Sequence, residues 1–236
     1  GGDYQLTGSM NTKANQLKLS GNINKVKVNQ VFESFTNFNQ EFLTHEQIKG
    51  NSTLIFNMEV PLLNNEINYN QMNASSSVFF KGELINHPFL KELLEFFHAN
   101  AITKGIIDYS FYSKKIKRVV FEGITTDVKI VQGKVHFPMT QINNNVLNMS
   151  VSGWQSFKDS IDYHLNFNWR ELRRKNLADD EFGEVNDDGL GKQIFLHIKG
   201  TVDNPIYKLD QSQKKENRKE KVKDEKEQIK SIIKGE

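Results

Sequence analysis

The sequence predicts a mainly β protein: a long, twisted antiparallel sheet, curled into a half-barrel or groove, with two amphipathic helices at its edges or ends. The first observation is the stretch 119–169, in which apolar and polar residues alternate through consecutive segments. A period of two places the apolar side chains on one face of a sheet. Second, the connections in this stretch are short, which favours antiparallel neighbours in a meander. Third, two separate segments near 29–49 and 88–100 have helical spacing.

Composition narrows the classes of function. Among the 236 residues, 31 Lys and Arg balance 29 Asp and Glu, and this net charge of +2 gives no reason to expect a nucleic-acid partner. No run of about 18 apolar residues occurs, so no membrane-spanning segment is predicted. The absence of cysteine excludes disulfides, thiolate zinc sites and cysteine nucleophiles.

The chain opens with two predicted strands, 4–10 and 16–28, and then changes to helical spacing. Asn29 is a suitable helix N-cap. Thr44 and Gln47 have capping-box spacing, and Gly50 is a suitable helix stop. These signals predict a helix pair over 29–49. Its apolar stripe consists of Val31, Phe32, Phe35, Phe38 and Phe42.

The next segments predict further strands around a second helix. Alternation over 54–62 predicts a strand, Asn64-Asn65 a turn, and 67–84 the return. Pro88 is acceptable in a first helical turn and begins a helix that ends near residue 100. The segment 107–112 then leads into the central meander. The wide apolar face of the second helix consists of Phe89, Leu90, Leu93, Leu94, Phe96 and Phe97.

The last part of the chain predicts a final strand and a polar tail. The strand covers 194–202 and ends at the turn Asp203-Asn204-Pro205. The acidic run 179–191 is interpreted as a surface loop or short helix, because its carboxylates lack EF-hand spacing. We therefore predict one β-groove domain over 1–210, followed by a charged helical or disordered tail over 211–236.

Three histidines are the main candidates for a chemical site in this sequence. His136, His164 and His197 fall between inward residues, so all three should lie on the polar face. A metal site is conceivable if their strands are adjacent, but scattered surface histidines are far commoner, and we predict no metal. No nucleophile elbow, phosphate loop, dinucleotide fingerprint or metalloprotease motif occurs. We therefore predict no enzyme, no catalytic residue and no cofactor. A carbohydrate-active enzyme would need two opposed carboxylates, and no particular pair is selected.

The apolar face of the sheet admits two interpretations. One is an ordinary core, with the sheet folded on itself and the helices as lids. The other is an incompletely closed sheet whose concave face accepts acyl chains, for which adaptable Met and Phe side chains are suitable. Periodicity does not distinguish a filled interior from an open groove. The predicted ligand surface consists of Leu54, Phe56, Met58, Val60, Val78, Phe80, Leu84, Val128, Ile130, Val135, Phe137, Met139, Leu147, Met149, Val151, Leu165, Phe167, Ile194, Leu196 and Ile198.

A set of short segments recurs in a characteristic order and spacing over about residues 15–210. The segments are 19–32, 35–40, 43–50, 80–86, 120–124, 133–139, 151–154, 162–163 and 199–205. Together they resemble the AsmA-like C-terminal domain of Gram-negative envelope proteins related to TamB, and the pair 120–124 and 133–139 is the best match. The order and spacing of the segments, more than any single segment, carry the resemblance.

The resemblance implies a function and a location. Proteins of this family have an N-terminal inner-membrane anchor and a long periplasmic β body, thought to carry phospholipids to the outer membrane or to influence its assembly. It thus implies a periplasmic lipid-binding or lipid-transfer domain, part of an inner-membrane-anchored protein. The expected partners are a phospholipid or other acyl-chain lipid and neighbouring β segments of the full-length protein. The alternative is a structural or protein-interaction β domain without a ligand, whose exposed edge strands pair with such segments.

Overall fold

The chain forms an open antiparallel sheet in the computed structural model, which describes residues 2–39, 42–64, 66–168 and 193–209. The sheet has 11 strands, and nearly all of them neighbour in space the strands that precede and follow them in the chain. This confirms the predicted mainly β, antiparallel fold. Trp169, the acidic run 179–191 and the predicted tail 211–236 lie outside the described residues.

The strands are β1 (Asp3–Asn11), β2 (Gln16–Lys27), β3 (Ile48–Leu63), β4 (Glu66–Ile67), β5 (Asn73–Ile85), β6 (Arg118–Val131), β7 (Lys134–Ile142), β8 (Met149–Ser156), β9 (Ser160–Asn168), β10 (Gln193–Thr201) and β11 (Pro205–Leu209). They are arranged in chain order, except that β4 lies off the main path and pairs only with β3. The helices are α1 (Val28–Ser34), α2 (Pro88–Ala99) and α3 (Tyr109–Lys115). None of the helices in the described ranges is long and apolar enough to cross a bilayer.

The predicted helix pair over 29–49 is wrong in extent. Its first member, α1, ends at Ser34, because Thr36 and Asn37 adopt the left-handed conformation, with φ of 51° and 52°. Left-handed residues commonly terminate helices. A short 3-10 turn at Thr36–Asn39 follows.

The second member of the pair does not form a helix. The Gln47 side chain does accept a hydrogen bond from the Thr44 backbone N–H at 3.0 Å, as a capping box requires. Only one turn is completed, however, and the chain enters β3 at Ile48. Ile48 lies opposite Leu84 on β5, so the hydrogen bonds of the sheet replace those of a helix.

Two further segments form elements that the sequence analysis did not predict. The segment 107–112 contains the start of α3, where the Asp108 side chain accepts a hydrogen bond from the Phe111 N–H at 3.0 Å. This is the usual role of an N-cap aspartate. After the predicted turn at Asp203-Asn204-Pro205, the chain forms a further strand, β11, that sequence analysis missed. By contrast, α2 matches its predicted range to within one residue.

The strand register places the apolar side chains on one face of the sheet. Residues directly opposite each other in antiparallel strands share a face. Leu165 lies opposite both Val151 and Leu196, while Leu54 lies opposite both Ile23 and Val78. The apolar face therefore extends from the first strands of the chain to the last.

Helix α2 covers this face over β8–β11. The Phe97 ring meets Phe167 edge-on at 5.5 Å between centroids, and Phe96 stacks on Tyr207 at 5.2 Å. Beneath them Leu196 and Ile198 are 1% and 0% exposed. Tyr112 of α3 belongs to the same buried cluster. We call β8–β11 with α2 and α3 the covered half.

The apolar face over β1–β6 has a different environment, and we call it the open half. None of the described residues on these strands belongs to the buried cluster or packs against it. Along β5 and β6, exposed residues alternate with half-buried ones, so that solvent reaches both faces. Buried apolar residues of these strands occur near strand ends, at Val60 and Val119.

Candidate functional site

A concave depression of about 540 Å³ crosses the open half. Its lining comes from five strands, each contributing three consecutive residues. The register aligns the central residue of every triplet, so that the five central residues form one row across the sheet. The row consists of Gly8, Leu19, Met58, Ala74 and Ile130. At about 4.8 Å per strand spacing, it is roughly 19 Å wide.

Small residues make room in the floor of this depression. Gly8 and Ala74 carry little or no side chain, and Ser76 lies opposite Phe56 and Val128 in the adjacent row. At Gly21 a Cβ atom would come within 2.8 Å of the Phe56 ring, which therefore lies over the glycine. Large and small side chains thus alternate across the floor and leave a shaped apolar surface.

The apolar floor has polar and charged neighbours on the other face. Lys18 and Glu59 form an ion pair at 2.6 Å and are both substantially exposed. Ser77 donates a hydrogen bond to Asp127 at 2.6 Å, also in an exposed position. The floor row itself carries no charge, while Lys18, Glu59 and Lys129 adjoin it in the lining of the depression, with side chains that alternation places on the other face. Such a surface holds an apolar chain by non-covalent contact and leaves any charged group at the rim.

The predicted ligand surface divides into two main groups in the structure. The residues on the open half are Leu54, Phe56, Met58, Val60, Val78, Phe80, Leu84, Val128 and Ile130. Those within or packed against the core of the covered half are Leu147, Met149, Val151, Leu165, Phe167, Ile194, Leu196 and Ile198. The second group is occupied in packing against helices and the neighbouring strands. Only the first group, apart from the buried Val60, remains accessible to a ligand.

Three predicted residues lie outside these groups. Val135 and Phe137 are half-buried on β7, at the boundary between the halves. Met139 does not line the apolar face, because the pairing of β7 with β8 shifts between Phe137 and Thr140, and Met139 is 73% exposed. The irregular register is the physical reason that simple alternation misplaced it.

The structure adds apolar residues that the predicted surface omitted. Leu17, Leu19 and Ile23 of β2 lie opposite apolar or ligand-surface residues of β3. Tyr4 and Leu6 of β1 extend the face to the sheet edge and are 72% and 58% exposed. Their alternation was visible in the sequence, and continuing the predicted surface through both opening strands would have included them.

A second constellation lies on the opposite, polar face of the covered half. His164 on β9 and His197 on β10 are directly opposed, and their rings stack at 4.3 Å between centroids. Asp162 Oδ1 lies 2.9 Å from His197 Nε2 and 3.3 Å from His164 Nε2. Two of the three histidines considered in the sequence are thus brought together, while His136 lies opposite Trp154 instead. The aspartate was not anticipated.

Comparison with known proteins adds no relative: no protein-family model, curated protein or solved structure matches this chain. The resemblance to AsmA-like domains therefore stays a prediction.

Proposed function

We propose that the open half binds the acyl chains of a phospholipid or similar lipid, and that the chain serves in lipid binding or lipid transfer. The observation that carries the proposal is the uncharged row from Gly8 to Ile130, which lies in a concave depression and is not part of the buried core. A volume of about 540 Å³ falls within the range of roughly 300–1,000 Å³ typical of small-ligand sites.

Physical chemistry supports an apolar chain as the occupant. Each methylene removed from water contributes about 0.8 kcal/mol, and the gain is non-directional. A half-buried apolar floor therefore needs no specific polar contact to hold a hydrocarbon. The lipid headgroup would remain in solvent, outside the apolar floor. The groove would accordingly select acyl chains more strongly than headgroups.

The expected context follows from the same proposal together with the AsmA-like resemblance. The domain would act in the periplasm as part of an inner-membrane-anchored protein that supports outer-membrane biogenesis. Edge strand β1 is exposed along its length and offers an unpaired ladder for a neighbouring β segment of the same protein. Addition of a strand there would lengthen the groove beyond the described sheet.

The first test is native mass spectrometry of the purified protein, followed by lipid extraction and uptake from liposomes. Stoichiometric phospholipid, bound on purification or taken up from liposomes, is expected. A bare protein mass with no uptake would overturn the proposal. In that case the exposed edge of β1 would favour the alternative, a structural or interaction domain that pairs with other strands.

A pair of substitutions locates the binding surface. Phe56→Asp places a charge on the groove floor, whereas Ile55→Asp places the same charge on the opposite face of the same strand, where Ile55 is already 56% exposed. Lipid loading is expected to be lost in the first variant and retained in the second. Circular dichroism checks that both fold. Equal loading of two folded variants would contradict the proposal, as would equal loss.

A labelling experiment keeps the proposal testable if Phe56→Asp does not fold. Because the chain has no cysteine, Ala74→Cys introduces a single attachment point for a polarity-sensitive dye on the groove floor. Ser77→Cys presents the same dye on the other face, outside the lining of the depression, as a control. Phospholipid vesicles are expected to shift the emission of the first conjugate only. No shift, or the same shift in both, would count against binding in the groove.

A further inference from the structure

We propose that Asp162, His164 and His197 form a binding site for a divalent transition-metal ion such as Zn²⁺, on the polar face of the covered half. One carboxylate oxygen and two imidazole nitrogens lie within 4.8 Å of one another. Two imidazoles and one carboxylate form a ligand set used by zinc and by non-haem iron. The site is independent of the lipid-binding groove, which lies on the other face of the sheet.

The spacing of the donor atoms fits a metal ion. Ligands bound to zinc at about 2.0–2.1 Å in tetrahedral geometry lie roughly 3.3 Å apart. The separations from Asp162 Oδ1 to the two Nε2 atoms, 2.9 and 3.3 Å, are close to this value. The stacked rings must tilt toward each other to share one ion. Their partial exposure, 30% for His164 and 25% for His197, leaves space for that motion and for a water ligand.

The sheet itself holds the three residues in place. His164 and His197 are a directly opposed pair on β9 and β10, and Asp162 lies two residues before His164, on the same face. The reverse sides of these strands carry Leu165 and Leu196, which are among the most buried residues. Rigid strands over a packed core position ligands more reproducibly than a loop does.

Neighbouring charge modulates the proposed site. Lys199 on β10 lies directly opposite Asp162 and is exposed, and it would repel a bound cation. Lys134 on β7 lies over the Trp154 ring at 3.7 Å and so is directed to an aromatic partner. Removing the charge of Lys199 should therefore strengthen metal binding.

Isothermal titration of chelator-treated protein with Zn²⁺ near neutral pH tests the proposal. One ion per chain is expected, with affinity reduced more than tenfold in His164→Ala and in His197→Ala. His136→Ala removes a histidine from the same face outside the cluster and should leave affinity unchanged. Lys199→Gln should raise the affinity. Acidification should weaken binding, because protons compete for the imidazole nitrogens.

Either of two titration results would overturn the proposal: no Zn²⁺ binding by the unaltered protein, or equal weakening by His136→Ala and His164→Ala. Conservative variants, His164→Gln and Asp162→Asn, repeat the comparison if an alanine variant does not fold. Visible absorption of added Co²⁺ supplies a second readout, since its spectrum reports directly on the coordinating atoms. A Co²⁺ spectrum unaffected by the cluster variants would likewise exclude the assignment.

Discussion

The covered and open halves have the same alternation of apolar residues, but their inward side chains are buried to different extents. In the covered half Leu196 and Ile198 are 1% and 0% exposed beneath α2. In the open half Leu54 and Met58, at equivalent inward positions, are only half-buried. The comparison shows that a strand pattern determines which side chains share a face, while an external element determines whether that face becomes a core or a surface. A protein that leaves half of such a face uncovered retains an apolar surface that can bind a ligand.

The largest expected effect distinguishes the halves by stability. Leu196→Ala should lower the free energy of unfolding by about 2–5 kcal/mol, because it leaves a cavity in a packed core. Leu54→Ala removes the same atoms from a half-buried position without leaving an enclosed cavity, and should cost less, about 1–2 kcal/mol. Urea denaturation of the two variants measures the difference. Equal losses would mean that the open half is as tightly covered as the other half.

An effect of intermediate size concerns the pH dependence of folding stability, which we attribute to His87 at the start of α2. His87 precedes the helix, is 5% exposed, and its ring lies 4.8 Å from that of Phe42. Burial lowers its pKa below the ordinary value, although a backbone hydrogen bond to Phe42 opposes the shift. Because the unfolded chain then binds the proton more tightly, stability should fall as the pH drops below about 6.5, the ordinary pKa of histidine.

Denaturation across this pH range tests the role of His87. The His87→Gln variant should lose part of the pH dependence, since a group that titrates differently in the two states has been removed. His98→Gln, at the exposed opposite end of α2, is the matched control and should retain the dependence. If His98→Gln flattened the curve as much as His87→Gln, burial of His87 would not be the cause.

The smallest expected effect concerns an exposed ion pair on the polar face of the open half. Lys18 and Glu59 pair at 2.6 Å across β2 and β3, but their side chains are 56% and 44% exposed. Lys18→Ala should therefore lower stability by only about 0.2–1 kcal/mol, and less at high salt. Thermal or urea unfolding at two salt concentrations provides the measurement. A much larger loss would indicate that this pair is more shielded from solvent than its exposure indicates.

Much of the fold was predictable because its signals are local. The alternation of Leu54, Phe56 and Met58 identified β3 and its inward residues, and the apolar stripe of α2 identified that helix almost to the residue. The failures were also local in origin. Left-handed Thr36 and Asn37 ended α1 early, and the irregular pairing of β7 turned Met139 away from the apolar face.

The candidate sites depended on long-range contacts that no local pattern specifies. Asp162 and His164 are two residues apart in sequence, but His197 joins them only because β10 pairs with β9 in one particular register. A shift by a single residue would have moved that histidine to the apolar face. The sequence therefore raised the possibility that histidines meet on the polar face, but it did not predict the cluster of Asp162, His164 and His197.

The sequence by itself determined the strand faces, the identity of α2 and the absence of cysteine chemistry, because side-chain alternation, helical periodicity and composition are properties of the chain alone. Only the tertiary structure decided that α2 packs over β8–β11 and not over β1–β6. The physical reason is that an apolar stripe on a helix can be buried against any apolar face of suitable shape. The choice between two such faces is made by the packing of the whole chain.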